Sequence, residues 1–497
     1  MSRIRTHGSV LVVVVLGLAT LFRGGPPAVA GAPALPSIRL HVADSHITVK
    51  RHGNHAAYVD SGVYVTTVGG GFELHVSRPD YDTPLGLTQV DATTDAVLRT
   101  LPSDLLYYDW FGLTDFIHVT IRDADGHLVS RKAYNWCPND WYRVRVNDDG
   151  PVEPTYPSWC NGMPLAMGTV WGIDDGWAVS PFVGGNPYGG GGAKINGPDG
   201  DYTLTTRIRP TYRDLLDIAD VDAVSTITVT VETIGGGTAA SHKELGAKLP
   251  KLSADVPVDT DPDPATLPDL QALASWLISV VKHKNHENLA FGATGWNAGP
   301  APLTVEGFRQ PDAEDMDAFQ YFFDSSGAEV GKAPVGAFEW DDRLGHNHWH
   351  FEQFARYDLL DATRTEVVAS KKQSFCIVPT DAVDLTLPGA VMEPWLVGLD
   401  TACGGKNAIW IREDLDAGWG DTYWQYVSGQ SFNVTNLPNG HYFIRVTVNP
   451  TGDLYEVDST NNVSLREVVL RGRSGHHRWV KVLPYHGIDT ESCWFCF

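Results

Sequence analysis

The feature that most constrains this chain is that it repeats itself. Asp199-Gly200-Asp201-Tyr202-Thr203-Leu204-Thr205-Thr206-Arg207-Ile208-Arg209-Pro210-Thr211 matches the stretch from Asn439-Gly440-His441-Tyr442 to Pro450-Thr451. Ser130-Arg131-Lys132-Ala133-Tyr134-Asn135-Trp136-Cys137 matches the segment ending Ser374-Phe375-Cys376, and Gly176-Trp177 matches Gly418-Trp419. The separation is 240 residues from Gly200 to Gly440, 239 from Cys137 to Cys376 and 242 from Trp177 to Trp419. A near-constant offset across three blocks implies two copies of one domain, so both halves must suit the same fold.

Each copy reads as short β runs broken by Gly, Pro, Asn and Asp. Val63-Tyr64-Val65-Thr66-Thr67-Val68, Phe116-Ile117-His118-Val119-Thr120-Ile121 and Val446-Thr447-Val448 are β-branched and alternating, the pattern of half-buried strands. The pattern predicts an all-β chain of two tandem antiparallel β-sandwich domains. The expected divisions are a signal peptide at 1–30, a first sandwich at 31–248, a Pro/Asp-rich linker at 249–268, a second domain at 269–472 and a tail at 473–497. The run from Leu270 to Val281 admits a helix through Leu270, Leu273, Ala274 and Leu277, but alternating Trp276, Ile278 and Val280 favour a strand. Asp261-Pro262-Asp263-Pro264 makes the linker an extended spacer. Gly189 to Gly192 is a loop, and with no helix after it, not a phosphate cradle.

The N-terminus has the form of an export signal: Arg3 and Arg5, an apolar run from Val10 to Phe22, then Ala28-Val29-Ala30. Secretion is expected, with no membrane anchor after cleavage. Six cysteines in an exported chain form a disulfide framework. The repeat selects Cys137 with Cys160 and Cys376 with Cys403, each bridge worth roughly 3 kcal/mol. Cys493 and Cys496 have the spacing of a redox pair or metal clip, and at the chain end a plain disulfide is expected. The net charge of −23 excludes nucleic acid as a partner and favours cationic ones such as amines and lysine-rich polypeptides.

The chemistry lies in Gly345-His346-Asn347-His348-Trp349-His350-Phe351. In an extended strand all three imidazoles point to one side, and imidazole suits copper, zinc, nickel or iron. In a straight strand, i and i+4 lie roughly 13 Å apart, so one ion shared by His346, His348 and His350 requires a bend or bulge. The competing reading is an edge strand of half-exposed histidines.

That stretch continues Glu352-Gln353-Phe354-Ala355-Arg356-Tyr357-Asp358-Leu359-Leu360-Asp361. Lys372-Gln373-Ser374-Phe375-Cys376, Gly420-Asp421-Thr422-Tyr423, Gly440 to Pro450 and Asp458-Ser459-Thr460-Asn461-Asn462 follow in order. Over residues 290–475 the chain resembles the lysyl oxidase family. The resemblance implies that His346, His348 and His350 hold copper. It also implies that Lys372 and Tyr423 form a lysine tyrosylquinone from the chain itself. The implied reaction is oxidative deamination of a primary amine, free or on a lysine-containing protein, with dioxygen as oxidant. Aldehyde, ammonia and hydrogen peroxide are the products. Zinc would fit the histidines but has no redox chemistry, whereas a copper ion can oxidise a tyrosine ring. Without the resemblance, Lys372 reads as a solvated strand lysine, as Lys371 does, and Tyr423 as a core aromatic.

This chain departs from the animal members in two ways. The spacing from the third histidine to Phe354 is one residue shorter, which flips a strand register unless a bulge absorbs it. Arg356 stands where those members have histidine before Tyr-Asp-Leu-Leu-Asp; if that histidine is their general base, this chain uses another group, for which Asp421 is the candidate. In the first copy, Tyr108, Trp110 and Gly112 fall where the histidines stand, Ala133 falls opposite Lys372 and Pro181 near Tyr423, so that copy has a structural or recognition role. The alternative reading of the whole is a metal-stabilised extracellular binding or adhesion module. A hydrolytic zinc site is the weakest reading, since no HExxH-type base accompanies the ligands.

Overall fold

The structure is a computed structural model. It describes residues 35–52, 56–59, 61–140, 143–160, 162–181, 193–234, 256–310, 313–342, 348–369, 374–394 and 403–492. His346, Lys371, Lys372, residues 182–192 with the Gly189 to Gly192 loop, the export segment and the Cys493–Cys496 pair lie outside them.

Alternation of apolar and polar residues produces strands almost throughout, so the chain is all-β. Among the described residues the helical elements are one α-helix, Pro210–Leu216, and two single 3-10 turns. Trp276–His283 is a strand, as its alternation predicts, and Leu270–Ala272 is a second short one.

The two halves repeat one another strand by strand. In the first, Ser37–Val42, Val63–Val68, Trp177–Val179 and Arg143–Arg145 lie side by side; in the second the order is Leu270–Ala272, His286–Asn297, Trp419–Tyr423 and Asp381–Ala382. A second sheet runs Gly168–Ile173, Phe72–Ser77, Gly86–Val90, Val97–Leu101. Its counterpart is Trp410–Leu415, Leu303–Phe308, Met316–Phe323, Glu329–Asp341, and it gains two strands, His348–Glu352 and Ser374–Phe375. In the third sheet Gly200–Ile208 lies between Leu113–Asp123 and Val224–Ile234, as Gly440–Val448 lies between Ala355–Asp361 and Val463–Arg473. Its outer strand differs: His46–His52 joins parallel in the first half, His477–Val482 antiparallel in the second.

Side chains repeat too. Tyr202 donates its hydroxyl to the Pro198 carbonyl at 2.7 Å, and Tyr442 to the Pro438 carbonyl at 2.8 Å. Each is a tyrosine corner that satisfies a buried phenol at a sheet edge. Disulfides join Cys137 to Cys160 and Cys376 to Cys403, the pairs that the repeat selects. The helix is an exception. Pro210 presets φ at its first turn, Asp217 closes it at φ 53°, and Tyr212 and Leu216 are buried. In the second half Pro450-Thr451 instead sits in a turn after Asn449 at φ 45°.

Apolar side chains also bind the halves to one another. The core around Phe116, Trp136 and Trp171 takes in Leu273, Trp276, Trp296 and Val383, while Tyr156 and Val170 join the core of the second half. Met167 donates its amide to the Val383 carbonyl and Leu385 to that of Gly168. At Gly168 a Cβ would lie 2.4 Å from Asp384 Oδ1, so this approach needs glycine. The described end of the Pro/Asp-rich segment is no plain spacer: it carries a 3-10 turn at Pro264–Thr266 and is pinned, Asp259 donating its amide to the Lys332 carbonyl and Lys332 to that of Pro257. Residues 36–497 form one compact unit.

Candidate functional site

His348–Glu352 lies between two partners because its residues alternate cleanly. Trp349 and Phe351 are buried on one side, at 0 and 1% exposure, and this anchors the strand in the core. His348 and His350 therefore share the opposite side. Along one edge it pairs antiparallel with Glu329–Asp341, which sets Asp341 across from His348 and Glu339 across from His350. Along the other edge Phe351 and Glu352 face Phe375 and Ser374. Beyond that short strand the edge is completed by the Cys403 carbonyl, which accepts the Trp349 amide at 3.1 Å. The Trp349 indole donates to the Gly405 carbonyl at 3.0 Å, and Arg309 lies over its ring.

The two imidazoles converge. Their Nε2 atoms are 2.8 Å apart, with ring centroids 4.6 Å apart and planes at 70°. His350 is buried, at 1% exposure, and its Nδ1 lies 3.3 Å from Asp341 Oδ2 and 3.4 Å from Ser374 Oγ. A carboxylate behind a ligating histidine is the usual way a protein fixes ring orientation at a metal. Two imidazole nitrogens facing one point, one of them backed in this way, fit a transition-metal site.

The strand does not run on into Ala355–Asp361. Gln353 adopts φ 64°, and Phe354 turns into the core at 1% exposure. The break sends the histidines and Tyr357 into different sheets. Asp115, at φ 48°, stands in the same place before Phe116 in the first half.

Tyr423 ends the strand Trp419–Tyr423. Its hydroxyl donates to the Cys376 carbonyl at 2.8 Å, and its ring meets Phe375 edge-on at 4.9 Å. Burial holds the phenol well above its ordinary pKa, and Asp421, Glu413 and Tyr357 add to the shift. Glu413 is also buried. It accepts the Ile377 amide at 2.8 Å, and burial, helped by Asp421 and Asp414, pushes its carboxyl well above the usual range. Ser374-Phe375-Cys376 thus touches His350 at one end and Tyr423 at the other. Asp421 lies two residues before Tyr423 on the same side of the strand, at 2% exposure. Arg356 is held by Asp358 at 3.0 Å and Glu366 at 2.8 Å.

Sequence reasoning missed Asp341 and Glu413. Asp341 ends the strand before the histidine hairpin, and pairing the two strands outward from the turn would have set it across from His348. Glu413 falls between Ile411 and Leu415 on the buried side of its strand, and a charge on an apolar face was the available signal. At the matching place in the first half, Tyr108 is exposed and Trp110 is buried. A Cβ on Gly112 would lie 2.2 Å from the Trp136 carbonyl oxygen. None of these three side chains is a metal ligand.

The described residues form an all-β protein in which a converging pair of histidines and a buried tyrosine both contact one short segment, Ser374–Cys376. Residues 319–389 and 400–480 match the lysyl oxidase family model. The chain is 28% identical over 150 residues to human protein-lysine 6-oxidase, covering 30% of this chain and 32% of the relative. The pig protein-lysine 6-oxidase gives the same identity over the same length, 30% of this chain and 54% of that one. Bovine lysyl oxidase homolog 2 is 30% identical over 148 residues, 29% of this chain and 16% of the relative. The chain thus spans about a third of the human relative's length.

Proposed function

We propose that the protein is a secreted, copper-dependent amine oxidase. It would convert primary amines, including lysine side chains of proteins, to aldehydes with release of ammonia and hydrogen peroxide. The observation that carries this reading is the segment Ser374–Cys376, which joins the converging pair His348 and His350 to the hydroxyl of Tyr423.

In this reading His346, His348 and His350 would hold copper. When bound, copper would supply, with dioxygen as the oxidant, the redox chemistry that converts Tyr423 and Lys372 into a lysine tyrosylquinone, the electron sink for amine oxidation. The chain's own groups do the rest. Cys376 holds the Tyr423 hydroxyl through its carbonyl and so fixes the ring before it is processed. Phe375 packs against that ring and excludes water from one side. Asp421, buried two residues away, is the candidate acceptor for the proton lost from substrate carbon. The first half has no ligand set in the equivalent place and supports the second.

Mass spectrometry of secreted, copper-loaded protein tests the reading. A cross-linked Lys372–Tyr423 peptide, together with amine-dependent peroxide, is the expected result. Protein that binds copper, turns over no primary amine and keeps Lys372 free would transfer the case to a metal-stabilised binding module.

A further inference from the structure

We propose that Asp341 is a positioning residue for the metal centre, acting through His350. The inference rests on the reading of His348 and His350 as metal ligands.

The geometry supplies each link. Asp341 is 6% exposed and His350 1%, so neither group trades its partner for bulk water. Asp341 Oδ2 lies 3.3 Å from His350 Nδ1. At that distance the negative charge of the carboxylate favours the Nδ1–H tautomer of His350, which leaves the lone pair on Nε2. That lone pair points at His348 Nε2, 2.8 Å away. Ser374 Oγ, at 3.4 Å from the same Nδ1, can either donate or accept and so selects neither tautomer. The carboxylate makes the choice. Without it, His350 could place its proton on Nε2 and turn a hydrogen, not a lone pair, toward the metal position.

The strand pairing explains why Asp341 is the residue that does this. It pairs with His348, two residues along from the Glu339–His350 pair and so on the same face of the sheet. A diagonal neighbour on one face is within reach of a long or aromatic side chain, so the histidine opposite one carboxylate is oriented by the next.

The test uses the full secreted chain, stripped of metal by a chelator. Zinc(II) and copper(II) are titrated into wild type, Asp341→Asn, Asp341→Glu, Asp341→Ala, His348→Ala and His350→Ala, and ¹⁵N NMR reads the His350 tautomer in the metal-free protein. Asp341→Asn is expected to weaken both metals by roughly 10- to 100-fold and to mix the tautomers. Asp341→Glu should recover affinity and tautomer together, a response that loss of packing would not give. If Asp341→Ala fails to fold, the isosteric Asn variant and the charge-conserving Glu variant decide the matter. Wild-type affinity and tautomer in Asp341→Asn overturn the inference, as does loss as complete as in His350→Ala, which would make Asp341 itself a ligand. His348→Ala with undiminished affinity would instead sink the metal-site reading on which the inference stands.

Discussion

Cys376 and Cys403 are bonded to one another, and each also holds one part of the site. The Cys376 carbonyl receives the Tyr423 hydroxyl, and the Cys403 carbonyl receives the amide of Trp349, between the two histidines. The informative perturbation is a pair of double variants, Cys376→Ala/Cys403→Ala and Cys137→Ala/Cys160→Ala. Sequence separations of 27 and 23 residues give loop-closure contributions of about 3.6 and about 3.5 kcal/mol. The two variants should therefore lose nearly equal stability, which removes general destabilisation as an explanation for any difference between them. Urea unfolding followed by tryptophan fluorescence measures the first quantity. Zinc titration of the metal-free proteins, where both remain folded, measures the second. Only the second-half variant should lose metal affinity, by tenfold or more, or about 1.4 kcal/mol. Equal affinities in the two variants, or a greater loss in the first-half one, would refute the claim that this bridge organises the site.

Lys372→Ala should retain copper yet lose at least 100-fold in amine-dependent peroxide production, whereas His348→Ala should lose both; Lys371→Ala and Lys132→Ala should leave peroxide output nearly unchanged. Burial pushes the Asp414 carboxyl up to about 6, and burial with Asp414 nearby pushes Asp416 up to about 7. Both folded values exceed the unfolded one, so the native state holds more protons between about pH 4 and 7 and stability falls as pH rises through that window. Asp414→Asn and Asp416→Asn should each flatten that slope in urea melts taken from pH 4 to 8. Tyr202→Phe and Tyr442→Phe should each cost roughly 1–3 kcal/mol by leaving a proline carbonyl without its donor, and clearly unequal midpoint shifts would count against equivalent corners.

Much of this was legible in the residues because it depended on local period. Alternation gave the strands, including Trp276–His283, and a constant offset gave the matched disulfides and the second Tyr-containing corner. His348 and His350 share a side because i and i+2 do so in any strand. The helix at Pro210–Leu216 was missed because its first residues match Pro450-Thr451, which turn instead; Leu216 and Tyr212 finding a core decides between them. Asp341 and Glu413 escaped because their roles depend on which strands lie adjacent, and no period within one strand records that. The pinned course of the linker segment near Lys332 was invisible for the same reason. The requirement for a distortion that brings in His346 falls on residues outside those described.

Gene duplication ordinarily leaves one copy expendable, free to decay and be deleted. Here the apolar residues Trp276, Trp296 and Val383 of one copy complete the interior of the other, and Trp424, next to Tyr423, stacks edge-on against Trp276 at 5.1 Å. Deleting the first half would strip the cover from these side chains. The second half, although it carries both histidines and Tyr423, therefore does not close its own interior and should not fold as a free-standing piece.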